Sequence, residues 1–166
     1  MKKQINYDEM LMKGSLALAK RNFKRAFNLY KMAVDAGNIH GLHNLAYFYD
    51  EGIGVKKNHK IALQLYKKAY RNGDAGAAYN IAVNYLNEGN IDRSKFWFKN
   101  ALSAGDFDAA VELAKFCFKG KRITNKREAL HLINIAIKAK SSKSITPAGY
   151  EEAKALLKKL NQVVKK

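Results

Sequence analysis

The chain has 166 residues, a formal net charge of +17 and a single proline. That length can bury a sizeable core within one domain, and so little proline leaves long helices uninterrupted. The lone Cys117 excludes an internal disulfide, and no apolar run reaches the length of a membrane span, so a soluble, cytoplasmic, monomeric protein without a membrane partner is expected.

No run alternates at period two, and alanine, leucine, lysine and tyrosine are abundant, which favours an all-α chain. The N-terminus, "MKKQINYDEMLMKGS", puts Asp8, Glu9 and Lys13 where a signal peptide needs apolar residues. A first helix is expected over 7–20, with Asp8 and Glu9 at its positive end, and a second over 21–36. The second holds "AFNLYKMAVDAGN" (26–38), which returns as "ALQLYKKAYRNGD" (62–74), "SKFWFKNALSAGD" (94–106) and, without the glycine, "ALHLINIAIKAKS" (129–141). In each, a small residue is followed by a large one and then by alanine: Ala26–Tyr30–Ala33, Ala62–Tyr66–Ala69, Ser94–Phe98–Ala101 and Ala129–Ile133–Ala136.

Partner helices are expected upstream, over 7–20, 39–52, 75–89 and 107–119, each carrying a small residue at the matched place. Gly14, Ala46, Ala82 and Ala114 precede the second small residue by 12, 16, 12 and 15 positions. Small residues at matched places let two antiparallel helices approach closely while the large residue fills the gap beside them. "TPAGYEEAKALLKKLNQVVKK" (146–166) is a last helix, with Thr146 as cap and Pro147 in the first turn. Tyr150, Ala153, Leu157, Leu160 and Val164 form its apolar stripe, and "AKSSKSI" (139–145) is the loop before it.

Between the second pair of helices, "DEGIGVKKNHK" superficially resembles a phosphate-binding loop. Such a loop needs a preceding strand and a third glycine; here position 57 is Lys57 and the preceding stretch reads as helix. Gly52 is instead expected to end one helix in a left-handed conformation, Gly54 to turn the chain and Asn58 to cap the next helix.

The spacing resembles the tetratricopeptide repeat, which Gly14–Ala26–Ala33 and Ala82–Ser94–Ala101 fit without adjustment. The second repeat looks like the longer SEL-one-like variant, and the fourth like the same variant with Gly120 kept and its second glycine lost. The resemblance implies a right-handed α-solenoid of about four antiparallel helix pairs, with repeats at about 7–38, 39–74, 75–106 and 107–141 and a capping helix at 146–166. It further implies first helices lining a concave groove and second helices forming a convex back. The four first helices carry net charges of 0, −2, −1 and 0, and the second-helix segments (21–36, 56–71, 91–104, 121–140) carry +3, +6, +2 and +5.

Carried over by position, groove residues are Asp8, Leu11, Ser15 and Leu18; then His40, His43, Tyr47, Asp50 and Glu51; then Tyr79, Val83, Leu86 and Asn87; and last Val111, Lys115, Phe118 and Lys119. Lys56, Lys57, Lys60, Lys67 and Lys68 belong to the basic back. Phe96 and Trp97 are expected to be structural, since aromatics at helical spacing usually pack.

Enzymatic readings find little support. His40 and His43 stand at i, i+3 but lack further metal ligands in reach. Cys117 holds a packing position with no identifiable base, and neighbouring Asp50 and Glu51 point in different directions. No cofactor is expected. The sequence therefore reads as a non-catalytic protein-interaction module binding a protein or peptide in its groove; the resemblance extends to bacterial regulation and to an immunity protein neutralising a cognate toxin. The alternatives are nucleic-acid binding through the basic back, although 25 of the 31 basic residues are lysine, and self-association through the last helix.

Overall fold

The computed structural model describes residues 7–119, 122–142 and 144–164, except for the side chains of Tyr7, Lys119, Arg122, Ser142, Val163 and Val164. The expectations placed on Gly120 and on the side chains of Lys119 and Val164 thus lie outside the described residues. The fold is an all-α repeat solenoid, and the chain divides into two compact units, one ending at Asn84 and one beginning at Tyr85.

The first unit holds α1 (Tyr7–Ala19), α2 (Phe23–Asp35), α3 (Leu42–Glu51), α4 (His59–Arg71) and the start of α5 (Ala77–Asn87). A single 3-10 turn over Ile39–Gly41 leads into α3. The small residues sit where close packing requires them. Ala26, Ala33, Ala46 and Ala62 are fully buried, Ala69 nearly so, and Tyr30 and Tyr66 lie buried between them. At Gly14, an added Cβ would stand 3.0 Å from the Tyr30 ring, so the first repeat trades a methyl group for the edge of an aromatic. Phe27 meets Phe48 and Tyr49 edge-on at 6.1 and 5.3 Å, with Ala17, Tyr30 and Leu45 completing the core. Burying each such ring contributes roughly 1.5–3 kcal/mol.

In the second unit, α6 (Ile91–Ser103) and α8 (Lys126–Lys138) flank α7 (Asp108–Lys115), and α9 (Pro147–Val164) packs on α7 and α8. Ser94, Phe98, Ala101, Ala129, Ile133 and Ala136 are all fully buried. Thr146 does cap α9, accepting from the Gly149 N–H at 3.0 Å. It also donates through Oγ1 and N–H to the two oxygens of Asp108 on α7, at 2.8 and 3.1 Å, which fastens the start of α9.

One asparagine caps every second helix. Asn22, Asn58, Asn90 and Asn125 accept from the N–H three residues on, at 3.1–3.3 Å. Each such cap contributes about 1 kcal/mol. Asn58 was legible as a cap in the sequence; the other three complete the pattern. Gly52 ends α3 at φ +72, and Gly54, at φ +69, turns the chain against the start of α2.

Two expectations are corrected. The helix read over 107–119 stops at Lys115, and Phe118–Lys119 instead form a short strand, β1, antiparallel to β2 (Arg122–Ile123). The carbonyl of Cys117 accepts both the N–H and the Oγ1 hydroxyl of Thr124, at 2.8 and 3.0 Å, which closes this hairpin in place of another helical turn. Phe96, expected to be structural, is 60% exposed. Ser94, Phe98 and Ala101 define the buried stripe of α6, and a residue two places from Ser94 lies about 200° around the helix.

Candidate functional site

In the first unit, two side-chain hydrogen bonds tie α3 to α5. Asn80 donates to Nε2 of His43 at 3.2 Å, and Asn84 donates to Oδ2 of Asp50 at 3.1 Å. His43 and Asp50 are seven residues apart on α3, two helical turns, and Tyr47 stands on the same stripe between them. Tyr47 is 46% exposed, whereas Phe48 beside it is 1% exposed. Tyr79 and Val83, half-buried, belong to the stretch of α5 that supplies the two asparagines. The arrangement presents one aromatic ring on a backbone fixed at both ends.

The polar groups around it are specifically partnered. His43 Nδ1 bonds Asp74 Oδ2 at 2.7 Å, and because the carboxylate only accepts, Nδ1 carries the proton and Nε2 is left to accept from Asn80. Both ring nitrogens are thereby occupied. His43 also stands edge-on to the Tyr66 ring at 5.4 Å. Asp50 is 8% exposed, and its Oδ1 accepts from Nδ1 of His59 on α4 at 2.7 Å, so this carboxylate joins three helices. Asp50 is therefore part of the frame beneath the surface. Tyr66 is fully buried, and burial, then the charges of Asp50 and Glu51, push its phenol well above its ordinary pKa. The Tyr66 hydroxyl and Asn84 Oδ1 are buried without a hydrogen-bond partner among the described residues.

The other first-unit positions vary. His40 is exposed on the 3-10 turn, its N–H held by Asn38 Oδ1 at 2.8 Å. Asp8 and Glu51 are exposed, Leu11 and Leu18 lean on the core, and Ser15 bonds the Tyr30 hydroxyl at 2.7 Å. Lys56 and Lys57, in the turn before α4, are exposed, as are Lys60 and Lys68 on α4, while Lys67 is half-buried.

In the second unit, Leu86 is half-buried and Asn87 exposed, while Val111 is core at 1% exposure. Lys115 binds Glu112 at 2.7 Å and Glu152 of α9 at 2.8 Å. Burial acts to lower its pKa, but these two carboxylates outweigh it and hold the ammonium above its ordinary range. Phe118 packs with Cys117, Ile123, Leu157 and Leu160, with the Lys159 ammonium 5.1 Å from its ring centre. Both residues are thus engaged by α9, where a groove position would leave them open. Cys117 is buried, and burial, then the charge of Glu128, raise its thiol pKa, so it is a poor nucleophile. Trp97 is half-buried and meets exposed Phe96 edge-on at 5.7 Å.

A family model described as the Sel1 repeat matches residues 9–38, 39–74, 75–106 and 107–141. Among solved structures, a Sel1 repeat protein from Oxalobacter formigenes is 26% identical, with a TM-score of 0.62 over 79% of this chain and 56% of its own length. A protective antigen of uropathogenic Escherichia coli strains, c5321, which displays an SLR fold, is 17% identical, with a TM-score of 0.70 over 95% of this chain and 38% of its own. The MamA protein is 16% identical, with a TM-score of 0.62 over 96% of this chain and 92% of its own. This chain therefore spans little more than half of the first relative and less than half of the second. No curated protein matches.

Proposed function

Because this chain belongs to the Sel1 repeat family, we propose that it is a non-catalytic protein-interaction module that seats a segment of a partner protein along α3 and the start of α5. The observation that carries this reading is Tyr47, an aromatic left 46% exposed on a stripe whose two ends are hydrogen-bonded to α5. An exposed aromatic on a preorganised backbone supplies contact area at low entropic cost, which is how interface anchors work. Tyr79 and Val83 extend the apolar part of the surface, and the exposed His40 gives it polar register. A toxin neutralised by this chain would be one such partner; the surface suits any polypeptide with a complementary apolar anchor.

Selection from a displayed peptide library tests this. Peptides enriched on the wild-type chain are expected to lose at least tenfold in affinity for Tyr47→Ala, about 1.4 kcal/mol, with unchanged thermal unfolding. Full retention of affinity by Tyr47→Ala, or selection of no peptide at all, would remove this surface from consideration.

A further inference from the structure

The turn after α3 and the start of α2 meet through their backbones. A Cβ placed on Gly54 would stand 2.6 Å from the carbonyl carbon and oxygen of Phe23 and 2.9 Å from the Lys24 nitrogen, so only a bare backbone fits there. That contact brings two basic segments of the first unit together, 20–29 and 52–61, neither of which contains a carboxylate. Arg21, Lys24, Arg25, Lys56, Lys57 and Lys60 are all exposed, and none forms an ion pair with a described carboxylate. Two of the chain's six arginines are among them. Elsewhere in this unit, Lys13 and Lys31 are paired, with Glu9 and Asp35.

Within this cluster, Phe23 opens α2 with 40% of its surface in water. A recess of about 280 Å³ between α1 and the start of α2, lined by Lys13, Leu16, Ala17, Lys20, Asn22 and Arg25, shares Arg25 with this cluster. Unpaired cations on two segments that meet at a solvated aromatic residue match what a flexible polyanion with flat unpaired bases needs: charges along the backbone and a ring on which a base can stack. A duplex keeps its base faces covered, and an acidic polypeptide has use for the cations but not for the ring.

We infer that this basic corner, centred on Phe23 and the Gly54 turn, binds single-stranded nucleic acid without base preference. The surface is distinct from the one proposed for the protein partner, and a chain carrying both would hold a protein and a nucleic-acid strand at once.

Fluorescence anisotropy of a labelled oligothymidylate of about 20 nucleotides with the full chain tests the inference. If all six cations meet phosphates, log affinity falls against log salt concentration with a slope approaching about −4. Lys56→Gln/Lys57→Gln/Lys60→Gln reduces the steepness by about 2 and lowers affinity by more than tenfold at low salt. Phe23→Leu, which keeps an apolar side chain but removes the ring, is expected to lower affinity about fivefold or more by loss of stacking. Tyr47→Ala leaves it unchanged. Equal loss on neutralising Lys126, Arg127 and Lys138 of α8 would mean that net charge alone is at work and would overturn the site. A silent Phe23→Leu together with equally effective competition by polyglutamate would assign the corner to acidic polypeptides and overturn the nucleic-acid reading.

Discussion

Asn84 donates to the buried carboxylate of Asp50 across 3.1 Å, and the same amide donates to the Asn80 carbonyl one turn earlier at 3.0 Å. One side chain thus joins α5 to α3 and fixes its own rotamer. Asn84→Ala strips Asp50 Oδ2 of a buried donor, and leaving such an acceptor without one costs about 1–3 kcal/mol. Urea unfolding should show a lower midpoint with an unchanged slope. A midpoint within error of wild type would mean that the bond holds nothing together.

Gly37 and Gly54, two of the positive-φ glycines, separate backbone conformation from crowding. Gly37 has φ +96 with nothing within 4 Å of an added Cβ, so Gly37→Ala should cost only the left-handed penalty of about 1–2 kcal/mol. Gly54→Ala adds a collision with the Phe23 backbone and should exceed about 3 kcal/mol. Equal losses in the two variants would show that the Gly54 turn moves away from α2 without cost.

The repeat was legible in the sequence because its signal is local. A small residue, a large one four places on and an alanine three further on share one face of a helix, and all four such triplets are buried. Ala46, Ala62 and Ala69 are covered as that pattern required. What escaped were pairings across long sequence gaps: Asp50 with Asn84, Lys115 with Glu152, and Asp108 with Thr146. No periodicity encodes these, and they turned Asp50 and Lys115 from presumed surface residues into fasteners. The short hairpin at Phe118 was missed for a similar reason, since Thr124 reaches back seven residues to the Cys117 carbonyl. Phe96 was recoverable, because counting its angle from Ser94, Phe98 and Ala101 places it outward.

Cys117 makes stability depend on alkaline pH. Burial first, then the charge of Glu128, raise its thiol pKa in the folded state. Between the unfolded and folded values, the folded chain holds the proton and the unfolded chain does not. The contribution is therefore fully present below the unfolded thiol value and is lost as pH rises through the folded one, by at most about 1.4 kcal/mol per pH unit. Cys117→Ala lacks this term, so its unfolding midpoint should fall less than that of wild type between about pH 8 and 10. Identical falls in the two proteins would show that the thiol titrates alike in both states. Tyr66, raised in the same direction mainly by burial, acts in both proteins and cancels in the comparison.

Tyr47 and Phe48 are neighbours in sequence with opposite surroundings, and the pair distinguishes holding the fold from holding a partner. Phe48 is 1% exposed and packs with Phe27 and Tyr30, so Phe48→Ala should destabilise by about 3–5 kcal/mol. Tyr47→Ala removes a ring already half in water and should shift stability by no more than about 0.5 kcal/mol. Stability and affinity are therefore expected to separate: Phe48→Ala lowers the unfolding midpoint, whereas Tyr47→Ala leaves it in place and weakens peptide binding. A large stability loss at Tyr47 would place its ring in the packing between repeats, and its exposure would then carry no implication for a partner.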